Sequence, residues 1–279
     1  MTNMTAESRV ALVTGASSGI GKEIARALLA DGLTVWVAAR GVDKMADLAE
    51  AGAHVIGMDI ASNDEIEAAV HRIEAAHGAV DILVNNAGFA VYGAVEDIPI
   101  EDARYQFEVN LFGLARLTQL LLPGMRAKGS GRIVNISSMG GRIYTPLGAW
   151  YHATKHALEG WSDCLRLEVK PFGIDVVIVE PGIMRTGFAD VMTGPLMRVS
   201  GSGAYAELAS AVATATAGTY SRRGGDSDPR IVGRAVSKAI AARKPKTRYV
   251  VGALARPMMM LRSLVSDRMF DRIIMSQVK

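Results

Sequence analysis

Short apolar runs alternate with helically spaced segments along the first two-thirds of the chain. Arg9 to Thr14, Thr34 to Ala39, His54 to Met58, Val80 to Asn85, Ile133 to Ser137 and Ile174 to Glu180 read as strands, and Thr247 to Val251 as a seventh. Apolar runs this continuous belong to strands buried on both faces, so they predict a parallel sheet covered by helices. Gly19 to Ala30 has the spacing of an amphipathic helix. Asp102 to Lys128 and Ala149 to Pro171 predict two long helices flanking the fifth strand, with Pro123 expected to kink or shorten the first. The rhythm breaks between Met184 and Asp228, where Gly, Ser, Thr, Ala and Met dominate and a helix is predicted only near Ala204 to Ala217. A segment of that length after a core strand usually serves as a lid or binding loop, here placed at residues 183–228. With no internal repeat and no linker, the pattern predicts one α/β domain over residues 1–279, doubly wound, with about seven parallel strands.

Composition narrows the class. At 279 residues and 49% hydrophobic, the chain can bury a full core. Its one cysteine, Cys164, excludes an intrachain disulfide, fits a reducing compartment, and falls in an apolar helical pattern that predicts burial. Only Arg9 precedes the first apolar run, no signal-peptide pattern is present, and no run approaches the length of a membrane span. The cluster Met258 to Met260, between Arg256 and Arg262, reads as part of an amphipathic helix. These features predict a cytoplasmic location. The net charge is +3, but residues 222–279 carry fourteen Lys/Arg against four Asp/Glu. Scattered charges without an aromatic platform exclude nucleic acid as a partner. A solvated outer face is the simplest reading, with a membrane surface or an acidic carrier left open.

Two stretches carry the chemistry. Thr14-Gly-Ala-Ser-Ser-Gly-Ile-Gly21 lies between a buried strand and a helix, where glycines let backbone approach a pyrophosphate and the helix N-terminus supplies N–H donors. That context makes the fold Rossmann-type. The second strand ends in Ala39-Arg40, without the carboxylate that would accept from a free ribose hydroxyl. A guanidinium there suits a 2′-phosphate, with Ser17 and Ser18 adding hydroxyls, so NADP(H) is favoured over NAD(H). Asp43 is read as a helix cap. Farther along, Tyr151 and Lys155 are one helical turn apart on one face. An ammonium beside a phenol favours the phenolate, which would make Tyr151 usable as an acid or base. His152 and His156 are four apart but have no third ligand nearby, so no metal site is expected, and they read as a surface or subunit-contact pair. Trp150 is read equally as core or as pocket wall.

In these motifs the chain resembles the short-chain dehydrogenase/reductase family. Thr14 to Gly21, Asn85-Asn86-Ala87-Gly88, Asn110, Ser138, Tyr151-His-Ala-Thr-Lys155 and Pro181-Gly-Ile-Met-Arg-Thr186 follow the family's order and spacing. The resemblance implies a catalytic set of Asn110, Ser138, Tyr151 and Lys155, with Asn110 holding a water beside Lys155 in a proton relay. It implies cofactor contacts at Gly15, Ser17, Ser18, Gly19, Ile20, Gly21, Arg40, Asp59, Ile60, Asn86, Ala87, Gly88, Tyr151, Lys155, Pro181, Gly182, Ile183 and Thr186. Asp59 would meet the adenine, Lys155 the nicotinamide ribose and Thr186 the carboxamide, while Asn85 would tie neighbouring strands together. A homodimer or homotetramer is also implied.

Loops beyond the strand ends hold Phe89, Met139, Tyr144, Met184 and Phe188, an apolar and adaptable set for a substrate pocket. A hydrophobic ketone or secondary alcohol fits best, and the long C-terminal third resembles the hydroxysteroid and retinol dehydrogenase branch. Two alternatives stand beside it. A beta-ketoacyl carrier-type reductase would use the basic C-terminal region for docking, and a catalytically silent NADP(H)-binding sensor or scaffold would keep the cradle without turnover.

Overall fold

In the computed structural model, seven parallel strands form one sheet in the order β3-β2-β1-β4-β5-β6-β7. The structure describes residues 8–221 and 224–278, without the side chains of residues 188–191. The strands are β1 (Val10–Thr14), β2 (Thr34–Ala39), β3 (His54–Gly57), β4 (Ile82–Asn85), β5 (Gly131–Ile136), β6 (Ile174–Pro181) and β7 (Arg248–Val251). Each lies within three residues of its expected bounds at either end. The helices are α1 (Gly19–Ala30), α2 (Ala46–Glu50), α3 (Asn63–His77), α4 (Ile100–Phe107), α5 (Gly113–Lys128), α6 (Ala149–Val169), α7 (Phe188–Ser200), α8 (Ala206–Ser221), α9 (Arg230–Ala241), α10 (Ala255–Leu264) and α11 (Asp267–Ser276).

Successive strand side chains enter opposite cores, which is why the strands look uniformly apolar in sequence. Ala11, Val13, Val35, Val37, Ile82 and Val84 pack with Ile24 and Leu28 of α1 and Val232 and Val236 of α9. Leu12, Trp36, Ala38, Leu83, Ile133 and Val176 pack with Ile66 and Ile73 of α3, Leu117 and Leu121 of α5, and Leu165 of α6. The chain reverses direction across the sheet between β1 and β4, the crevice where ligands of such sheets collect.

Several helical expectations change. Pro123 neither ends nor shortens α5, because the carbonyl it leaves unbonded belongs to exposed Gln119 and can be solvated. The long helix is interrupted earlier, by one wide turn of π type at Glu108–Phe112. Asp43 caps nothing: Gly41 precedes the short 3₁₀ turn Val42–Met45, and no side chain caps it. Cys164 is exposed, because the buried stripe of α6 runs through Leu158, Ser162 and Leu165 and leaves position 164 off it. Among the described residues of 183–228 there are two α-helices rather than one, and Met192 and Leu196 of α7 pack with Ala209 and Val212 of α8 over Ala90, Tyr92 and Leu147.

Gly113 shows how closely the site is built. A Cβ there would fall inside the van der Waals radius of the Ile60 carbonyl oxygen, so α5 can approach the loop after β3 only through a glycine. The obstacle is backbone, which cannot swing aside. Gly113→Ala should therefore lower unfolding stability by about 2–3 kcal/mol, the upper range for an overpacked core, as read by urea denaturation.

Candidate active site

The glycine loop is fastened to the end of β4 by a small polar seam. Thr14 Oγ1 accepts from the backbone N–H groups of Asn86 and Ala87, each at 3.0 Å. The Asn86 side-chain amide donates back to the carbonyls of Thr14 at 2.9 Å and Gly15 at 3.2 Å. Gly15 has φ +67°, and a Cβ on it would lie 2.8 Å from Ala87 Cα. Gly21 leaves no room either, its Cβ position being filled by Asn86 Nδ2 and the Gly15 carbonyl. Ser18 is extended and makes no side-chain cap, so the first turn of α1, opening at Gly19, faces the groove without one. Both serines, Gly19, Ile20, Gly88 and Thr186 line that groove, and Thr186 Cγ2 sits 3.3 Å from the Cβ position of Gly19. Asn85 donates to Thr118 and to Asn135 on β5, tying strands as expected.

At one end of the groove, Arg40 is largely exposed; it donates to the Tyr105 hydroxyl at 3.3 Å and lies 4.0 Å from Asp59. Asp59 accepts from Ala61 N at 3.0 Å, a local turn that aims its carboxylate, and Ile60 is buried behind it. Lys44 lines the same end, its stem over Gly41, and sequence reasoning missed it. The available signal was a second cation four residues after Arg40.

At the other end, Ser138, Tyr151 and Lys155 line one continuous cavity with the glycine loop. Ser138 Oγ accepts from Gly140 N at 3.0 Å, and Lys155 Nζ donates to the Ile136 carbonyl at 2.9 Å. The depressed phenol expected from the sequence is not what this geometry produces. Burial raises the Tyr151 pKa, with a Ser138 hydrogen bond opposing it, and burial lowers Lys155 to about 8 against the pull of Glu159. Tyr151 therefore keeps its proton at neutral pH, while Lys155 has become an easily exchanged acid.

Asn110 is not among the cavity-lining residues. Its amide bonds both backbone groups of Phe89 and donates to Thr154 Oγ1 at 3.1 Å, and Thr154 in turn bonds the Tyr151 carbonyl. The side chain thus locks the strand-end loop to α6. His152 is buried rather than a surface residue: its ring accepts from Thr145 N at 3.1 Å, which leaves Nδ1–H to donate to the Gly140 carbonyl at 2.9 Å. His156 is exposed, and no cluster able to hold a metal ion exists among the described residues. Trp150 is half-buried outside the cavity lining.

The cavity has a volume of about 1210 Å³. Phe89, Met139, Met184, Pro181, Gly182 and Ile183 line it. Gly182 is needed there because a Cβ would strike the Ala253 carbonyl. Tyr144 does not line it. That ring packs on Phe270 of α11 at 5.1 Å, and its hydroxyl bonds Asp271 at 2.9 Å. The Phe188 side chain lies outside the described residues. The remaining wall comes from Val212 and Ala215 of α8, Met258 of α10, and Ile273 and Ile274 of α11. Sequence reading did not anticipate the C-terminal part of it.

The short chain dehydrogenase model matches residues 9–193. An NADPH-dependent 3-dehydrocapnine reductase of Ornithobacterium rhinotracheale is 35% identical, over 97% of this chain and 98% of that one. A 3-ketodihydrosphingosine reductase of Bacteroides thetaiotaomicron is 34% identical, over 90% of each. Among solved structures, a short-chain dehydrogenase from Streptomyces avermitilis is 39% identical, with a TM-score of 0.83 covering 93% of this chain and 94% of that one. The protein belongs to the short-chain dehydrogenase/reductase family of oxidoreductases. No helix among the described residues is long and apolar enough to cross a membrane.

Behind Lys155 lies a charge cluster. Arg248 of β7 pairs with Glu159 at 3.0 Å and Asp163 at 2.7 Å, and lies 3.5 Å from Glu180, which Arg142 approaches to 3.7 Å. Glu180 is fully buried, and burial together with neighbouring Glu159 raises its pKa from the ordinary 4.5 to about 7. A carboxyl raised on folding favours the native state most below its unfolded pKa, and that contribution is lost as pH rises from about 4.5 to about 7. Glu180→Gln should flatten this part of the stability profile and leave the variant the more stable protein at pH 8. Urea unfolding across that window reads the difference.

Proposed function

We propose that this protein is an NADP(H)-dependent oxidoreductase that interconverts a hydrophobic ketone and its secondary alcohol. The observation that carries the reading is one cavity running unbroken from the glycine loop, past Ser138, Tyr151 and Lys155, to an apolar wall. The residues present fit the dinucleotide. Gly15 and Gly21 leave space that any Cβ would fill, and the uncapped start of α1 offers N–H groups to a pyrophosphate. Arg40 and Lys44 give the far end two cations for a 2′-phosphate. Asp59 and Ile60 frame the adenine, while Asn86 acts mainly by holding the loop in shape. Ala87 and Gly88 would pass close to the adenine ribose, while Pro181, Gly182, Ile183 and Thr186 would surround the nicotinamide half.

Once bound, the nicotinamide supplies hydride to the carbonyl carbon, or takes it back in the reverse direction. Tyr151 delivers its proton to the substrate oxygen in reduction and accepts it in oxidation. Ser138 Oγ accepts from Gly140 and so keeps its own hydrogen to donate to the same oxygen. Lys155 holds the ribose hydroxyls and, with its pKa near 8, returns a proton to Tyr151. Asn110 acts as a positioning residue, through Thr154 and the Tyr151 backbone. The names of the two bacterial relatives, a reductase of 3-dehydrocapnine and one of 3-ketodihydrosphingosine, support reduction of a ketone.

The test follows NADPH absorbance with a panel of apolar ketones, short ketones and carrier-bound β-ketoacyl thioesters. Apolar ketones should be turned over best. Tyr151→Phe should lose about a hundredfold or more in kcat while still binding NADPH. Turnover of the thioesters alone would transfer the reading to a carrier-type reductase, and NADPH binding without turnover of any carbonyl would make the protein a sensor. Arg40→Asp should raise the KM for NADPH about tenfold, a change of ~1.4 kcal/mol, while sparing NADH. Unchanged selectivity would remove Arg40 from the cofactor site.

A further inference from the structure

Helices α10 and α11 have two different faces. On the inner side, Met258, Ile273 and Ile274 wall the cavity. Phe270 is wholly buried, and the Arg262 guanidinium lies 5.4 Å above both its ring and that of Tyr144 while pairing with Asp267 at 2.6 Å. The two helices are therefore firmly attached. On the outer side, Leu264 is 76% and Met260 62% exposed, and Met269 and Met275 are also open to water. Arg256, Met260 and Leu264 recur every fourth residue along α10, and Arg268, Arg272 and Met275 share a face of α11. None of Arg256, Arg268 and Arg272 pairs with an acid among the described residues, whereas Arg185, Arg230, Arg248 and Arg262 do.

Apolar tips flanked by unpaired guanidinium groups match the boundary of an anionic bilayer, where thioether and leucine side chains enter the acyl layer and arginines remain at the headgroups. A second copy of the same face would bring like charges together. We propose that the outer face of α10 and α11 docks on an anionic lipid surface, so that these helices stand between the bilayer and the catalytic cavity. The proposal goes beyond the assignment of the reaction. It draws on the hydrophobic-ketone reading only for its purpose, the delivery of a membrane-dissolved substrate.

The experiment is co-sedimentation of the full chain, without substrate, with vesicles of phosphatidylcholine alone or mixed with phosphatidylglycerol. Binding should occur to the mixed vesicles, weaken as salt screens the arginines, and be nearly absent on neutral ones. The double variant Met260→Asp with Leu264→Asp, and separately Arg268→Glu with Arg272→Glu, should each weaken it about tenfold or more. Turnover of a small soluble ketone should stay as in the wild type, which also reports intact folding. Absence of binding to mixed vesicles, or binding indifferent to both variants, would overturn the proposal. So would a wild-type dimer that Met260→Asp with Leu264→Asp dissolves, since that would give the face to a second copy. Vesicle binding without ketone turnover would remove the activity reading alone, and turnover without vesicle binding would remove this one alone.

Discussion

The seam between Thr14 and Asn86-Ala87 is the constraint on which the site depends. One hydroxyl accepts two backbone N–H groups while the Asn86 amide donates to two carbonyls, so the ends of β1 and β4 are held where the sheet reverses direction. Two loops can then approach closely enough for glycine alone to fit at positions 15 and 21. A buried polar cluster of this kind is worth keeping only when its donors and acceptors are matched, because each unpaired member costs about 1–3 kcal/mol. The same tie continues through Gly88 and Phe89 to Asn110, and from Asn110 through Thr154 to the backbone of Tyr151. The glycine loop and Tyr151 are thus parts of one hydrogen-bonded frame.

Burial governs the chemistry of that frame. It raises Tyr151, lowers Lys155 to about 8, and raises Glu180 to about 7, bringing the lysine and the glutamate near neutrality. Arg248 partly offsets the resulting crowding of Glu159, Asp163 and Glu180. Perturbed ionisable groups gather on α6 and near the end of β6, a pattern common at functional sites, whereas a stable core alone would favour apolar replacements.

Much of this was legible in the sequence because it is local. Strands buried on both faces announce themselves as apolar runs, and Tyr151 and Lys155 share a face by helical arithmetic. Where the reading missed, distant contacts or solvent decided. Gly194 and Pro195 disguised α7, which forms because Met192 and Leu196 find a partner in α8. Tyr144 looked like a pocket residue until Phe270 and Asp271, more than 120 positions away, captured its ring and hydroxyl. Cys164 sits one place off the buried stripe of α6, a rotation that composition does not reveal. The Tyr151 pKa went the other way because burial outweighed the Ser138 hydrogen bond that opposes it.

What unites the frame, the buried acids and the apolar wall is the claim that hydride passes from a dinucleotide on the glycine loop to a carbon beside Tyr151. Reduction of an apolar ketone with NADPH deuterated at nicotinamide C4, followed by mass spectrometry of the alcohol, tests it directly. The account predicts deuterium on the carbinol carbon from one face of the nicotinamide only. An alcohol formed without the label, or with label from both faces equally, would contradict it.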